Sequence, residues 1–283
     1  MSPALRGVRI GFIERRHPSG HRGAIARRLV PLLREMGARV DLIHAELGIH
    51  RLDAAPPWDL VVLKSGSAAA LHLAAAAGGW GVPSVNTSEA TRLAQDRLAS
   101  AAILQRAGLP IAPAHLAWLG PGADMVDTTE QLAPIAAQPV IVKAARGSRG
   151  AGLWSAGPGE LPSLAPVLPD GPYLIMQRVP HTGEDLKVFA AGEWVSAIER
   201  PFPAQSYEEK LGRPVEAPAE VVETAREAGR LLGLTCFGCD FVRGPEGWVL
   251  VDVNAFPGYK GAARAAEALA AEVGRFAAES IAR

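Results

Sequence analysis

Short apolar runs along the chain alternate with stretches whose apolar residues recur every three or four positions. VRIGFI (8–13) reads as a buried strand, and AIARRLVPLLREMG carries a helical stripe that stops at Gly37. ARVDLIHA, WDLVVLKSGS and GVPSVN supply three more strands, with a small-residue helix, AAALHLAAAA, between the last two. Regular alternation of strand and helix predicts an open, mostly parallel sheet with helices on its faces.

From Thr87 the texture changes. SEATRLAQDRLASAAILQRAG predicts one continuous helix, N-capped by Ser88 and ending at Gly108. QPVIVKAARGSRGAG is a strand running into a glycine-rich turn, YLIMQRV is another strand, and LKVFAAG with EWVSAIER forms a hairpin around Gly192. PFPAQSYEEKLGRP predicts a loop, 217–233 a helix, and FGCDFVRGPEGWVLVDVN a hairpin turning at RGPEG. ARAAEALAAEVGRFAAESIAR closes the chain as an Ala-rich helix. The pattern is α/β at the start and α+β overall. It divides into 1–86, 87–175 and 176–283.

Composition narrows the function classes. Over 283 residues, 29 Lys and Arg balance 29 Asp and Glu, so no global charge recruits nucleic acid or an anionic membrane. MSPALRGVRIGF lacks the apolar core of a signal peptide, and no stretch approaches the roughly 20 apolar residues that cross a bilayer. A soluble, cytoplasmic protein, monomer or homodimer, is expected. Cys236 and Cys239 form a lone C-x-x-C, the spacing of a redox pair or of half a zinc site. No second pair exists, and LTCFGCDFV reads as a strand with two packed thiols.

The chemistry concentrates in VLVDVNAFPGYKG (249–261). A strand alternates its side chains, so Asp252 and Asn254 share a face while Val251 and Val253 turn to the other. Such a pair suits either a polar strand end facing solvent or a hard oxygen site for magnesium. Asp240, central in FGCDFV, sits on the partner strand of the same hairpin, and pairing brings three oxygen ligands together. Two carboxylates in an otherwise apolar hairpin are costly without a cation or a hydrogen-bonding partner, and two magnesium ions bridging ATP phosphates fit the set. Upstream, Lys143 ends a strand before a turn holding Gly147, Gly150 and Gly152. Ser148 and two arginines lie between them. Backbone amides freed by glycine approach polyphosphate closely and lysine adds a point charge, although the same turn suits a hairpin tip and lacks the G-K-[ST] of a Walker loop.

Taken together, these segments resemble the ATP-grasp superfamily from VRIGFI to PGYKG. The pattern is similar to RimK-like ligases and, in DVNAFPGYKG, LKVFAAG and IERP, to inositol 1,3,4-trisphosphate 5/6-kinases. The resemblance implies an ATP-grasp fold: a Rossmann-like N-terminal domain (1–86) and two α+β lobes (87–175 and 176–283) clasping ATP. It places Lys143 and the flap Arg146, Gly147, Ser148, Arg149, Gly150 and Gly152 on the phosphates, and Gln177, Arg178 and Val179 of LIMQRV on the adenine. Glu184 or Asp185 falls to the ribose, and Asp240, Asp252 and Asn254 to the metal. Lys187 and Arg200 are the cations near the γ-phosphate, in the catalytic role. Three positions depart from the ligases: Asp96-Arg97 stands where many have D-K, so a first nucleotide lysine is absent or replaced by Arg97. Asp252 replaces a usual Glu, and Asp185-Leu186-Lys187 replaces D-I-R.

The first βα loop, ERRHPSGHRG, gathers Arg15, Arg16, His17, His21 and Arg22 ahead of a helix N-terminus. Lys64 at the end of LVVLK opens onto the same crevice. Either these are solvated charges or the substrate is acidic; Gly258 and Lys260 in PGYKG join them as substrate candidates. Three functions remain open: a carboxylate–amine ligase forming ADP through an acyl phosphate, a kinase of inositol-phosphate type, and a catalytically silent ATP-binding module. An acidic small-molecule acceptor is expected, and an amino acid, a peptide carboxylate and a phosphorylated polyol fit it equally; no nucleic acid and no membrane is expected as a partner.

Overall fold

The computed structural model describes residues 5–16, 24–122, 125–146 and 152–281. In chain order the elements are β1 (Arg9–Ile13), α1 (Ala24–Glu35), β2 (Arg39–Ile43), β3 (Leu60–Leu63), α2 (Ala68–Gly79), β4 (Ser84–Val85) and α3 (Ser88–Gln95). Next come α4 (Arg97–Arg106), β5 (Ala114–Leu119), α5 (Met125–Ala136), β6 (Val140–Ala144), β7 (Leu153–Ala156), α6 (Leu161–Leu164) and β8 (Gly171–Gln177). The chain ends with β9 (Glu184–Ala191), β10 (Trp194–Pro201), β11 (Arg213–Val215), α7 (Ala219–Leu231), β12 (Cys236–Gly244), β13 (Gly247–Ala255) and α8 (Ala265–Ile281). These fall into two compact units, one of Met1–Arg92, Gly183–Phe241 and Asp252–Arg283, the other of Leu93–Thr182 and Val242–Val251.

In the first unit a parallel sheet runs β2-β1-β3-β4. Its central strands are apolar at nearly every position because both faces are covered: Ile10 and Phe12 pack with Leu29 and Leu33 of α1, and Val61 and Leu63 pack with Leu71 and Ala74 of α2. Helix α1 runs through Pro31 and closes before Gly37, whose φ of +99° suits the left-handed end of a helix. The second sheet of this unit, β11-β10-β9-β12-β13, joins the same core through Phe189, Ile198, Cys236 and Phe256, which face Leu269 and Val273 of α8.

The second unit is an antiparallel sheet, β5-β8-β6-β7, with its own core of Leu132, Val140, Leu161, Tyr173 and Ile175. It also includes the distal part of the β12–β13 hairpin, which turns at Pro245–Glu246.

Three sequence expectations are corrected. The single helix expected over 88–108 is two helices, because the Asp96 carboxylate accepts from the N–H groups of Leu98 (3.2 Å) and Ala99 (3.0 Å) and caps α4. The cap of α3 is Thr87, whose hydroxyl accepts from the Ala90 N–H at 3.1 Å, while Ser88 lies inside the helix. The loop PFPAQSYEEKLGRP contains a 3₁₀ turn, Glu209–Leu211, and leads into β11 at the sheet edge. There Pro214 pairs opposite Ile198, a position where its missing N–H is tolerated. Among the described residues no helix is long and apolar enough to cross a membrane.

Candidate active site

One face of the β11-β10-β9-β12-β13 sheet changes character along its length. Phe189, Ala191, Ile198 and Cys236 occupy one end and are buried in the core. Two to four residues further along the same strands, period-two alternation puts Lys187, Asp185, Arg200 and Asp240 on that face. Register confirms it for the hairpin, since Lys187 stands opposite Ile198 and Asp185 opposite Arg200.

These side chains form one network. The Lys187 ammonium donates to Asp240 Oδ1, and Arg200 Nη2 donates to the same oxygen at 3.0 Å. Asn254 Nδ2 lies 3.2 Å from Asp240 Oδ2 and 3.0 Å from Asp252 Oδ2. The Asn254 amide nitrogen thus bridges the two carboxylates. Asp185, Asp240 and Lys187 are buried, whereas Asp252 is exposed. Three carboxylates (Asp185, Asp240, Asp252) against two cations (Lys187, Arg200) leave one net negative charge. Hard oxygens converging under excess negative charge fit magnesium, and a flip of the Asn254 amide presents its oxygen beside theirs.

Asp185 is not a ribose ligand. Its two oxygens accept from Arg200 Nε and Nη2, and its side chain has 0% exposure, so it is spoken for and out of reach. Glu184 is exposed at the start of β9. Burial alone pushes Arg200 down, but the Asp185 bond and the Asp240 charge outweigh it and hold the guanidinium above its ordinary value. Sequence reasoning missed this orienting role for Asp185, although its place two residues before Lys187 on one strand was a signal for it.

In the second unit, Lys143 lies next to the end of β6 and donates to the Val251 carbonyl at 2.9 Å. Ala144 N–H donates to Gly152 O at 2.8 Å and closes the base of the glycine-rich turn, whose members Gly147, Ser148, Arg149 and Gly150 lie outside the described residues. Arg146 is exposed. Gly152 has φ +71° and leaves no room for a Cβ, which would meet Ala144 Cβ at 2.9 Å. Arg97, first residue of α4, donates through Nη1 to Ala144 O (3.0 Å) and through its N–H to Ala145 O (3.1 Å), so it is brought to the same turn. The N–H groups of Gln177 and Arg178 are taken by Pro113 O (3.1 Å) and Pro139 O (2.8 Å). Val179 packs over Gly244.

The substrate candidates are scattered within the first unit. Arg15 and Arg16 are exposed after β1, and His17 and His21 lie outside the described residues. Lys64 follows β3 with its ammonium 5.6 Å from the centre of the Phe256 ring; burial pulls it down to about 8 against the opposing charge of Glu14. Gly258 is exposed, and Lys260 lies over the Tyr207 ring at 4.7 Å. Cys236 and Cys239 are buried free thiols pushed up by burial, and their odd separation along β12 puts them on opposite faces.

A probable alpha-L-glutamate ligase of Enterobacter sp. (strain 638) is 29% identical over 222 residues, covering 73% of this chain and 71% of that protein. The ribosomal protein bS6–L-glutamate ligase of Salmonella schwarzengrund (strain CVM19633) is 27% identical over 250 residues, 82% of this chain and 81% of its own. Among solved structures, a RimK domain ATP-grasp protein from Sphaerobacter thermophilus DSM 20745 superposes with a TM-score of 0.69 at 18% identity, covering 95% of this chain and 99% of that one. D-alanyl-alanine synthetase A from Vibrio cholerae gives 0.68 at 17%, covering 96% and 99%. These establish the ATP-grasp fold. A family model of the RimK-like ATP-grasp domain matches residues 94–273, a span that holds every nucleotide, metal and phosphoryl candidate, and the chain belongs to that family.

Proposed function

We propose that this chain is an ATP- and magnesium-dependent carboxylate–amine ligase that forms ADP through an acyl phosphate. The observation that carries the reading is the shared polar end of β9, β10, β12 and β13, where Lys187 and Arg200 meet on Asp240 beside Asp252 and Asn254. Family membership, and relatives named as glutamate ligases, support ligation over phosphorylation as the outcome.

In the first step a carboxylate oxygen of the acceptor attacks the γ-phosphorus and the bond to the β-phosphate oxygen breaks, releasing ADP. An amine then attacks the acyl carbon, loses a proton to solvent and expels orthophosphate. Asp240, Asp252 and Asn254 would hold magnesium, which neutralises charge on the ATP phosphates. Lys187 and Arg200 stabilise the negative charge of the phosphoryl oxygens in flight, worth about 10²-fold or more in rate for well-placed donors. Arg97, Lys143 and the turn from Arg146 to Gly152 bind the phosphates. Because the N–H groups of Gln177 and Arg178 are engaged, the adenine contacts fall to their carbonyls and to Val179, and Glu184 takes the ribose.

Arg15, Arg16, His17, His21, Lys64, Gly258 and Lys260 serve an acidic acceptor. Relatives named for ribosomal protein bS6, and a fold neighbour solved with a precursor peptide, extend that acceptor from a small acid to a carboxylate on a peptide. Hydroxylamine tests the chemistry. With ATP, magnesium and the correct acid, an acyl phosphate is trapped as a hydroxamate and phosphorus NMR shows free orthophosphate. A stable phosphoester in place of orthophosphate makes the enzyme a kinase, and the absence of ATP consumption with any acceptor makes it a silent module.

A further inference from the structure

The loop after β13 is held in a conformation that side chains seldom adopt. Phe256, Tyr259 and Gly261 have φ of +39°, +49° and +74°. Burial of both rings, with the Tyr259 hydroxyl donating to Ala190 O at 2.8 Å, holds the two aromatic residues there. Between Tyr259 and Gly261, Lys260 turns outward and lays its ammonium over Tyr207.

The 3₁₀ turn Glu209–Leu211 is wedged beside it by two glycines. Gly261 lies so close that a Cβ would stand 1.7 Å from Leu211 O. Gly212, with φ +58°, presses on β10, where a Cβ would meet Glu199 O at 2.5 Å and Arg200 Cβ at 3.2 Å. Lys210, carried by that turn, is thereby held near Arg200 and Lys260. Burial first, then the like charges of Lys210 and Arg200, hold the Lys260 ammonium below its ordinary value. The charge of Arg200 is met by Asp185 and Asp240, whereas among the described residues neither Lys210 nor Lys260 forms an ion pair. Glu209, next to Lys210, gives its Oε2 to the N–H groups of Gln205 (2.6 Å) and Ser206 (3.2 Å).

We infer that Lys210, Lys260 and Tyr207 form an anion subsite that takes a second oxyanion of the acceptor, beyond the group that reacts. The Glu209 carboxylate acts on Lys210 but is engaged by two backbone N–H groups; two ammonium groups held together in half-buried surroundings are unfavourable, and a carboxylate or phosphate between them lowers that cost. The inference rests on the ligase reading, which makes Arg200 the marker of the reacting end. It adds that the acceptor carries two anionic groups, one at the phosphoryl-transfer end and one at the lysine pair.

Calorimetric titration with glutarate, inorganic phosphate and singly charged valerate, with and without Mg·ADP, tests it. Wild-type protein should bind glutarate or phosphate at least about 10-fold more tightly than valerate, as one additional charged hydrogen bond provides. The tighter of the two dianions identifies the acceptor class. Lys210→Met and Lys260→Met should each abolish the preference, and Lys210→Arg should retain it. A preference unchanged in both methionine variants, or missing from the wild type, overturns the subsite. If the wild type binds Mg·ADP and shows no preference, the subsite alone fails. Failure to bind Mg·ADP defeats the ligase reading, while the dianion titration without nucleotide still judges the subsite.

Discussion

Arg200 closes on Asp185 through two parallel hydrogen bonds, Nε to Oδ1 at 2.7 Å and Nη2 to Oδ2 at 2.8 Å. A planar guanidinium held at two points has its remaining donors aimed, and Nη2 also reaches Asp240 Oδ1. Asp185 is therefore a positioning residue: it sets the plane of the guanidinium that the proposed mechanism aims at the phosphoryl group.

Asp185→Asn keeps the shape but removes the charge opposite a mostly buried arginine. Breaking one side of such a pair should destabilise the fold by about 3 kcal/mol. Urea melts measure this. Arg200→Lys should lower kcat by about 10²-fold, because an ammonium cannot make the forked contact. Wild-type stability in Asp185→Asn would show that Arg200 is held by other means.

Asp252 is the exposed member of the proposed metal set, and its Oδ2 accepts from Asn254 Nδ2. Asp252→Ala should leave the thermal midpoint unchanged while removing magnesium-dependent turnover, since the ion loses a charged ligand. Full turnover, or a large drop in the midpoint, would contradict its placement as a metal ligand.

The grouping of Asp240, Asp252 and Asn254 was legible in the sequence because it depends only on strand parity: Asp252 and Asn254 are two apart, and Asp240 lies on the other arm of a hairpin whose turn, RGPEG, is local. The Lys187–Arg200 hairpin was legible for the same reason. What sequence could not give was competition for each group. Asp185 and Glu184 are equal candidates on paper, and only burial and the reach of Arg200 separate them. Asp96 reads as a helix residue until its carboxylate is seen capping α4. Lys210 sits in a stretch with no periodicity, and its place beside Lys260 depends on a contact between residues 211 and 261 that no local pattern encodes.

Lys64 gives a pH signature. Its ammonium is pulled from 10.5 to about 8 by burial, opposed by Glu14. Between about pH 8 and 10.5 the unfolded chain holds a proton at this lysine that the folded chain has released. Stability therefore rises with pH across that window, and below it burial of the charge costs the fold up to about 3 kcal/mol. Lys64→Met should be more stable than wild type at pH 7 and should lose this rise. Denaturant midpoints at pH 7 and pH 9.5 check both points; an equal rise in the two proteins would assign the slope to another group.

Two glycines with similar φ angles separate backbone strain from steric contact. At Gly7, φ +86°, an added Cβ would have nothing within 4 Å, whereas at Gly261, φ +74°, it would lie 1.7 Å from Leu211 O. Gly7→Ala should cost only the left-handed penalty, about 1 kcal/mol. Gly261→Ala adds overpacking against a backbone oxygen, so its total should reach about 3 kcal/mol or the 3₁₀ turn must move away. Movement of that turn carries Lys210 away from Lys260. Gly261→Ala should then weaken dianion binding together with stability, while Gly7→Ala leaves dianion binding at the wild-type level. Paired urea melts and glutarate titrations on the two variants measure both quantities, and equal stability losses would mean that the Gly261–Leu211 contact is not a constraint.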